Sequence, residues 1–370
     1  MTPGQVESYN NFLENQNRLL KDLFKNYDAD VSAIYTLKLS KFINVSMEHP
    51  PSFELRLTLT MLKLIDVVET EEKVTFLFDY EAEWTDRRLT WNPYDYGGIS
   101  QIYVPSKKVW MPEVTIADAH EVKTWAEDSE KNAWINFNGT VGIYKSTVSA
   151  VICSLDVFRF PMDEHKCGVS VMYHTYLTEE YHIKSVEVDF MKSVENYHLG
   201  NGEWDVHWIG VVEQISKDNT TNVQKFEAHF SRNPGFYISL VIIPAYFINM
   251  LSIFAIFIDI DKFSEKITIG LTNIMSMTFI LVILSEDLPK TKRIPLLAIY
   301  VIIGLVIVMG AIGVVFVLPD IKKMVQKRRN NEEKKAVTRF EKLKKMLKLE
   351  HFLMLIFQIA NFINFIVIFT

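Results

Sequence analysis

Residues 265–289 read EKITIGLTNIMSMTFILVILSEDLP. The stretch is apolar enough for a membrane, yet it holds a carboxylate near each end and hydroxyls inside. In helical register Glu265, Thr268, Thr272, Met275, Phe279, Val282 and Glu286 follow one another at alternating spacings of three and four, so all seven share one stripe. Glu265 and Glu286 are 21 residues apart, roughly 32 Å at ~1.5 Å per residue, about one hydrocarbon thickness. A charge facing lipid is costly, and such groups face a bundle interior or water. One helix cannot enclose water, whereas several copies can. The chemistry is that of an ion pore: rings of Glu attract cations at both mouths, threonine hydroxyls replace hydration water, and the Met275–Val282 segment gates by dewetting. The competing reading is a buried helix whose acidic ends are solvated.

The rest of the chain must hold such a helix in place. Of 370 residues, 49% are hydrophobic, enough for a sizeable core and two domains. Residues 1–235 mix polar and apolar at short period. Four long apolar runs follow: Phe236–Ile258, Ile267–Leu284, Ile294–Leu318 and Phe352–Phe369, each near the ~20 residues that a spanning helix needs. The predicted division is an extracellular domain at 1–235, three transmembrane helices within 236–318, a cytoplasmic loop at 319–350 and a fourth transmembrane helix at 351–370. That loop holds 12 Lys/Arg against 5 Asp/Glu, and an excess of basic residues in a short loop marks the cytoplasmic side. Four spans then put residues 1–235 and the C-terminus outside the cell. Three glycosylation sequons, at Asn44, Asn138 and Asn219, all fall in residues 1–235, in agreement with that orientation.

The two cysteines, Cys153 and Cys167, lie in the part exposed to oxidation. A bond between them would close a loop worth roughly 3 kcal/mol; the alternative is two free buried thiols. No signal peptide opens at Met1, which points to a mature form given a new start.

Within residues 1–235, NNFLENQNRLLKDLF (10–24) places Phe12, Leu13, Leu19, Leu20, Leu23 and Phe24 near one face and predicts a short amphipathic helix. Runs such as FELRLTLTMLKLIDV, KVTFLFDYEAEW and CGVSVMYHTY are rich in strand formers and broken by turn residues, the pattern of an antiparallel β-sandwich. The loop segment NNEEKKAVTRFEKLKKMLKLE predicts a basic amphipathic helix with Val337, Phe340, Leu343, Leu347 and Leu349 on its apolar side. No catalytic constellation, metal-ligand spacing, cofactor motif or nucleic-acid-binding stripe is expected, and the GGI at 97–99 is a turn.

Cys153 and Cys167 enclose SLDVFRFPMDEHK, with Phe160, Pro161, Met162 and Asp163 at its middle. This loop resembles the signature of the Cys-loop receptors, the pentameric ligand-gated ion channels. EWTDRRLTWNPYDYGGI (83–99), VWMPEV (109–114), GEWD (202–205) and EKITIGLTNIMS (265–276) resemble the nicotinic branch, and the similarity covers nearly the whole chain. It implies an extracellular antiparallel β-sandwich with an N-terminal helix, a four-helix transmembrane bundle, and a homo- or hetero-pentamer around the second helix, made with four further subunits. Its partners would be the lipid bilayer, permeant monovalent cations and a small extracellular ligand.

The resemblance also assigns residues. Glu265-Lys266 matches the inner mouth of nicotinic-like channels. DKFSEKI lacks the Pro-Ala insertion of anion-selective relatives, so cation selectivity is expected. Met275 stands where the family usually has its gate leucine, and Phe279 is bulkier than usual. At the agonist positions Ala117 replaces a tyrosine, His174 a tryptophan and Asp79 a tryptophan. The third loop, about 212–223, lacks the paired cysteines and both tyrosines, with Gln214 and Thr221 nearest them. Tyr173, Tyr176 and Phe226 lie close by. The aromatic box that holds a quaternary ammonium by cation–π attraction is missing, so acetylcholine is not the expected ligand. Asp79 and His174 could meet across a subunit interface and serve a polar or protonatable trigger; the plainer alternative is that His174 is a satisfied interface residue. For coupling, the resemblance points to Phe160, Pro161, Asp163, Arg232 and Pro289, with a cis bond before Pro161. Two rivals stand beside the channel: a non-conducting accessory subunit, and a membrane-tethered binding protein whose helices only anchor. The loop at 319–350 is short for an animal member of the family, as if trimmed.

Overall fold

A computed structural model describes residues 3–34, 52–124, 131–187, 199–215, 222–258, 263–288, 293–332 and 339–369. The chain forms two units: Met1–Val68 with Glu72–Ser154 and His165–Ser231, and Glu69–Glu71 with Leu155–Glu164 and Arg232–Thr370.

The first unit opens with a helix, Pro3–Leu23. Of its apolar residues Leu19 is buried, whereas Phe12 and Leu13 stay exposed. Eleven strands follow among the described residues: β1 (Phe53–Val68), β2 (Lys73–Thr90), β3 (Gln101–Pro105), β4 (Thr115–Ala117), β5 (Ala119–Thr124), β6 (Asn132–Asn136), β7 (Asn138–Ile152), β8 (Glu164–Met172), β9 (Tyr181–Glu187), β10 (Trp204–Ile215) and β11 (Asn222–Arg232). One sheet runs β3-β6-β7-β2-β1-β9, with β5 also on β7; the other runs β10-β11-β8-β4. β9 is parallel to β1, while β1–β2, β2–β7 and β6–β7 are antiparallel.

Alternation puts Phe76, Phe78, Tyr80, Ala82 and Trp84 of β2 in the core. Phe78 meets Phe226 of β11 at 5.0 Å between ring centroids, joining the two sheets. In β1 the buried positions are Phe53, Leu55, Leu57 and Leu59, then Leu62 and Leu64, then Val67. The parity changes at the register shifts between Leu59 and Met61 and between Leu64 and Asp66, because an extra residue in a strand turns the following side chains to the other face. Cys153 and Cys167 are bonded, their Cα atoms 6.0 Å apart, which ties the end of β7 in one sheet to β8 in the other. Gly97 and Gly98 both have positive φ, at 66° and 86°, as a tight turn requires.

Among the described residues of the second unit, four helices are long and apolar enough to cross a membrane: Gly235–Phe257, Ser264–Glu286, Leu296–Leu318 and Leu349–Val367. Ile253, Ile256 and Phe257 of the first span and Val308 and Ala311 of the third share a core against which Ile274 of the second and Phe357 of the fourth pack. Polar groups pin the bundle: Asn273 donates to Asn249 Oδ1 at 3.1 Å, Asn364 to the Tyr300 carbonyl at 3.0 Å and Gln358 to the Met250 carbonyl at 2.8 Å. Such bonds find no competition from water inside a bilayer. The first span carries a π-turn at Ile238–Ile242 just before Pro244. Proline has no N–H to continue the ladder, and the Ile242 carbonyl accepts from the Tyr300 hydroxyl at 3.2 Å.

Of the basic segment at 330–350, the third helix runs on to Glu332 and the fourth starts at Arg339, while residues 333–338 lie outside the described residues. Val337 lies outside the described residues, and Leu349 is exposed.

Candidate functional site

The stripe of the second span occupies one face. Glu265, Thr268, Thr272, Met275, Phe279, Val282 and Glu286 are all exposed in the single subunit, whereas Gly270, Asn273, Met277 and Leu284 are buried. Met275 is 76% exposed and Phe279 65%. The back of the helix is fixed by close approach: a Cβ on Gly270 would sit 2.3 Å from Ile312 Cδ1 of the third span. Each stripe threonine donates its hydroxyl proton inward, Thr268 to the Ser264 carbonyl at 2.9 Å and Thr272 to the Thr268 carbonyl at 2.8 Å. Their oxygens keep lone pairs for an outside donor or cation. The face is thus acidic at both ends, has hydroxyl acceptors near the Glu265 end and is apolar between.

The agonist-position residues are dispersed. Asp79 lies at mid-β2, opposite Ser146 of β7. It is 7% exposed, and its carboxylate accepts from the Tyr144 hydroxyl at 2.8 Å and from the Ser146 hydroxyl. Ala117 pairs with Ser170 in the other sheet. His174, just past β8, is exposed, and its backbone N–H donates to Glu113 Oε1 at 3.0 Å. Burial raises the Glu113 pKa, but donors from Thr175 and the His174 and Thr175 amides outweigh it and hold the carboxyl below its usual range. Tyr173 is buried, its ring 4.5 Å from that of Tyr181. Tyr176 stacks on Tyr181 from another side, and Tyr181 donates to the Glu113 carbonyl at 2.7 Å. Phe226 is fully buried. Gln214 falls on β10, and Thr221 lies outside the described residues.

Several coupling candidates meet within the second unit. Arg232 is 4% and Asp163 1% exposed. The Arg232 guanidinium donates to Asp163 Oδ1 at 2.9 Å and also to Glu69. It lies over the Phe160 ring at 4.8 Å, and Phe160 packs edge-on against Tyr237. Burial works against the charge on Arg232, and the two carboxylates outweigh it, so its pKa is raised. The Phe160–Pro161 bond is cis. Pro289 lies outside the described residues, as do Asn44 and Asn219; Asn138 is exposed as the first residue of β7.

Residues 16–234 match the model of the neurotransmitter-gated ion-channel ligand binding domain, and residues 241–352 that of the neurotransmitter-gated ion-channel transmembrane region. The chain belongs to the neurotransmitter-gated ion-channel family. Similar curated proteins are the Caenorhabditis elegans acetylcholine receptor subunit beta-type acr-2, 27% identical over 82% of this chain and 51% of its own length, and two human subunits. Neuronal acetylcholine receptor subunit beta-3 is 27% identical over 84% of this chain and 65% of its own length. Subunit alpha-5 is 28% identical over 80% and 60%. The chain therefore spans between half and two thirds of the length of these relatives. It is a nicotinic-like member, a multi-pass membrane protein with its ligand-binding domain outside the cell.

Within this channel family member three contacts escaped the sequence reading. Glu69, the second carboxylate on Arg232, stands in the acidic turn ETEE (69–72) between β1 and β2. That run of acids is a visible signal, but its cation is 163 positions away. Tyr144 and Ser146 close over Asp79 from β7, which only the strand register reveals. Glu113 was legible as part of VWMPEV and not as the acceptor beneath His174.

Proposed function

We propose that this chain is a subunit of a pentameric, cation-selective channel opened by an extracellular ligand other than acetylcholine. The observation that carries the reading is the exposed face of the second span. A subunit that buries Met277 while presenting Met275, Phe279 and two terminal carboxylates needs neighbours that give those carboxylates water. Five copies would turn the stripe into stacked rings, with Glu265 and Glu286 at the mouths, Thr268 and Thr272 as acceptors for a partly dehydrated cation, and Met275 to Val282 as the closed constriction.

The relatives are named as acetylcholine receptor subunits. Against the same ligand here stand Ala117, His174 and Asp79, and a Tyr173 packed in the core. A small polar or protonatable ligand fits a surface where His174 and Glu113 supply the polarity. The inward engagement of Asp79 also supports a second reading, an accessory subunit that conducts only with partners; current from this subunit alone would eliminate it.

Cysteine labelling tests the pore face without an agonist. Both native cysteines are in the disulfide, so an introduced thiol is the only free one. Phe279→Cys should react with an impermeant cationic thiosulfonate applied outside, and Met277→Cys should not. Equal protection of both would exclude a water-filled lumen on this face.

A further inference from the structure

The second span holds two methionines two positions apart, and the structure treats them oppositely. Met275 is 76% exposed on the stripe, and Met277 is fully buried against the bundle. Met275 is flanked by Thr272 on one side and Phe279 on the other, so its ring of thioethers would lie where the wetted acceptors give way to the apolar constriction. A thioether serves as an apolar plug, since its sulfur is a soft and weak acceptor. It is also the one apolar side chain that a single oxygen transfer makes polar.

We propose that Met275 is a redox modification site at which hydroperoxides convert the closed constriction into a leaking one. This inference rests on the pore reading. In the step, the Met275 sulfur attacks one oxygen of hydrogen peroxide, the O–O bond breaks, and the second oxygen leaves as water. The sulfur is oxidised to the sulfoxide and the peroxide is reduced. Hydrogen peroxide is small and uncharged, so it can reach the constriction through an aqueous vestibule. The product carries a strong S=O dipole that accepts hydrogen bonds. Several such groups in one ring remove the dewetting on which the closed state depends. Met277, with no accessible surface, would remain a thioether.

The test uses the full chain in cell membranes, with wild type, Met275→Leu and Met275→Thr recorded before and after hydrogen peroxide, and the peptide carrying both methionines weighed. The expected result in wild type is a rise of about tenfold in ligand-free current, equivalent to roughly 1.4 kcal/mol in the closed–open balance, with one added oxygen located at Met275. Met275→Leu, which retains the exposed Met309 and Met324, should show no rise. Sulfoxide at Met275 with unchanged current, oxidation of Met277 in its place, or an equal rise in Met275→Leu would each overturn the proposal. Met275→Thr separates the two levels: if it conducts without peroxide while wild type ignores peroxide, the redox site falls and the pore stands. If it reaches the surface and is silent, the reading of this chain as a pore of its own falls in favour of the accessory subunit, and takes the redox site with it.

Discussion

Arg232 and Asp163 form an ion pair with no exposed side-chain surface. Removing one member of a buried pair strands the other charge, at a cost of ~3–5 kcal/mol. Arg232→Ala should therefore lower the thermal midpoint of detergent-solubilised protein sharply, whereas Glu69→Gln, which alters the more solvated partner, should lower it little. Tyr27 supplies a pH prediction. Burial, then the charge of Asp86, pushes its hydroxyl from 10.0 up to about 12, against a lowering bond from the Trp110 amide. A folded pKa above the unfolded one gives stability that is complete below the unfolded value and lost as pH rises through the folded one. The ligand-binding domain should weaken between pH 10 and 12, and Tyr27→Phe should flatten that part of its pH–stability curve. Sequence made Arg232, Asp163 and the disulfide legible because short motifs frame them. It could not show that Asp79 is closed over by Tyr144 and Ser146, since that depends on which residues of β7 lie beside β2.

At the scale of elements, the second span was legible as a helix from its long apolar run, whereas its period alone left a pore-facing stripe and a buried helix with solvated ends both open. The strands were legible in part. β1 and β2 announce themselves by alternation, but the two shifts in β1 break its parity and are set by the partner strand. β11 was obscured because its buried face carries Asn222, Gln224 and Arg232 beside Phe226, Ala228 and Phe230. Packing between spans offers a direct check. Gly270→Val would drive a side chain into Ile312 and should cost ~1–3 kcal/mol through overpacking. Gly313→Ala in the third span meets nothing within 4 Å, and should be neutral or stabilising because alanine is the better helix former. Thermal stability of the solubilised variants, compared side by side, reads both.

For the whole molecule, the central claim is that copies of the exposed stripe enclose a cation path. The loop at 319–350 has a net positive charge, and the rest of the chain has 27 basic and 40 acidic residues, by subtraction of its 12 and 5 from 39 and 45. An acidic exterior would concentrate cations near the outer mouth, and in the proposed pore the two glutamates of each subunit would extend that preference to both ends. The most direct measurement needs no ligand. Met275→Thr replaces the apolar constriction with a hydroxyl and should conduct at rest; its reversal potential is then recorded while external sodium chloride is diluted. A negative shift that follows sodium is the predicted result. A positive shift that follows chloride would contradict the assignment of Glu265 and Glu286 as a cation filter.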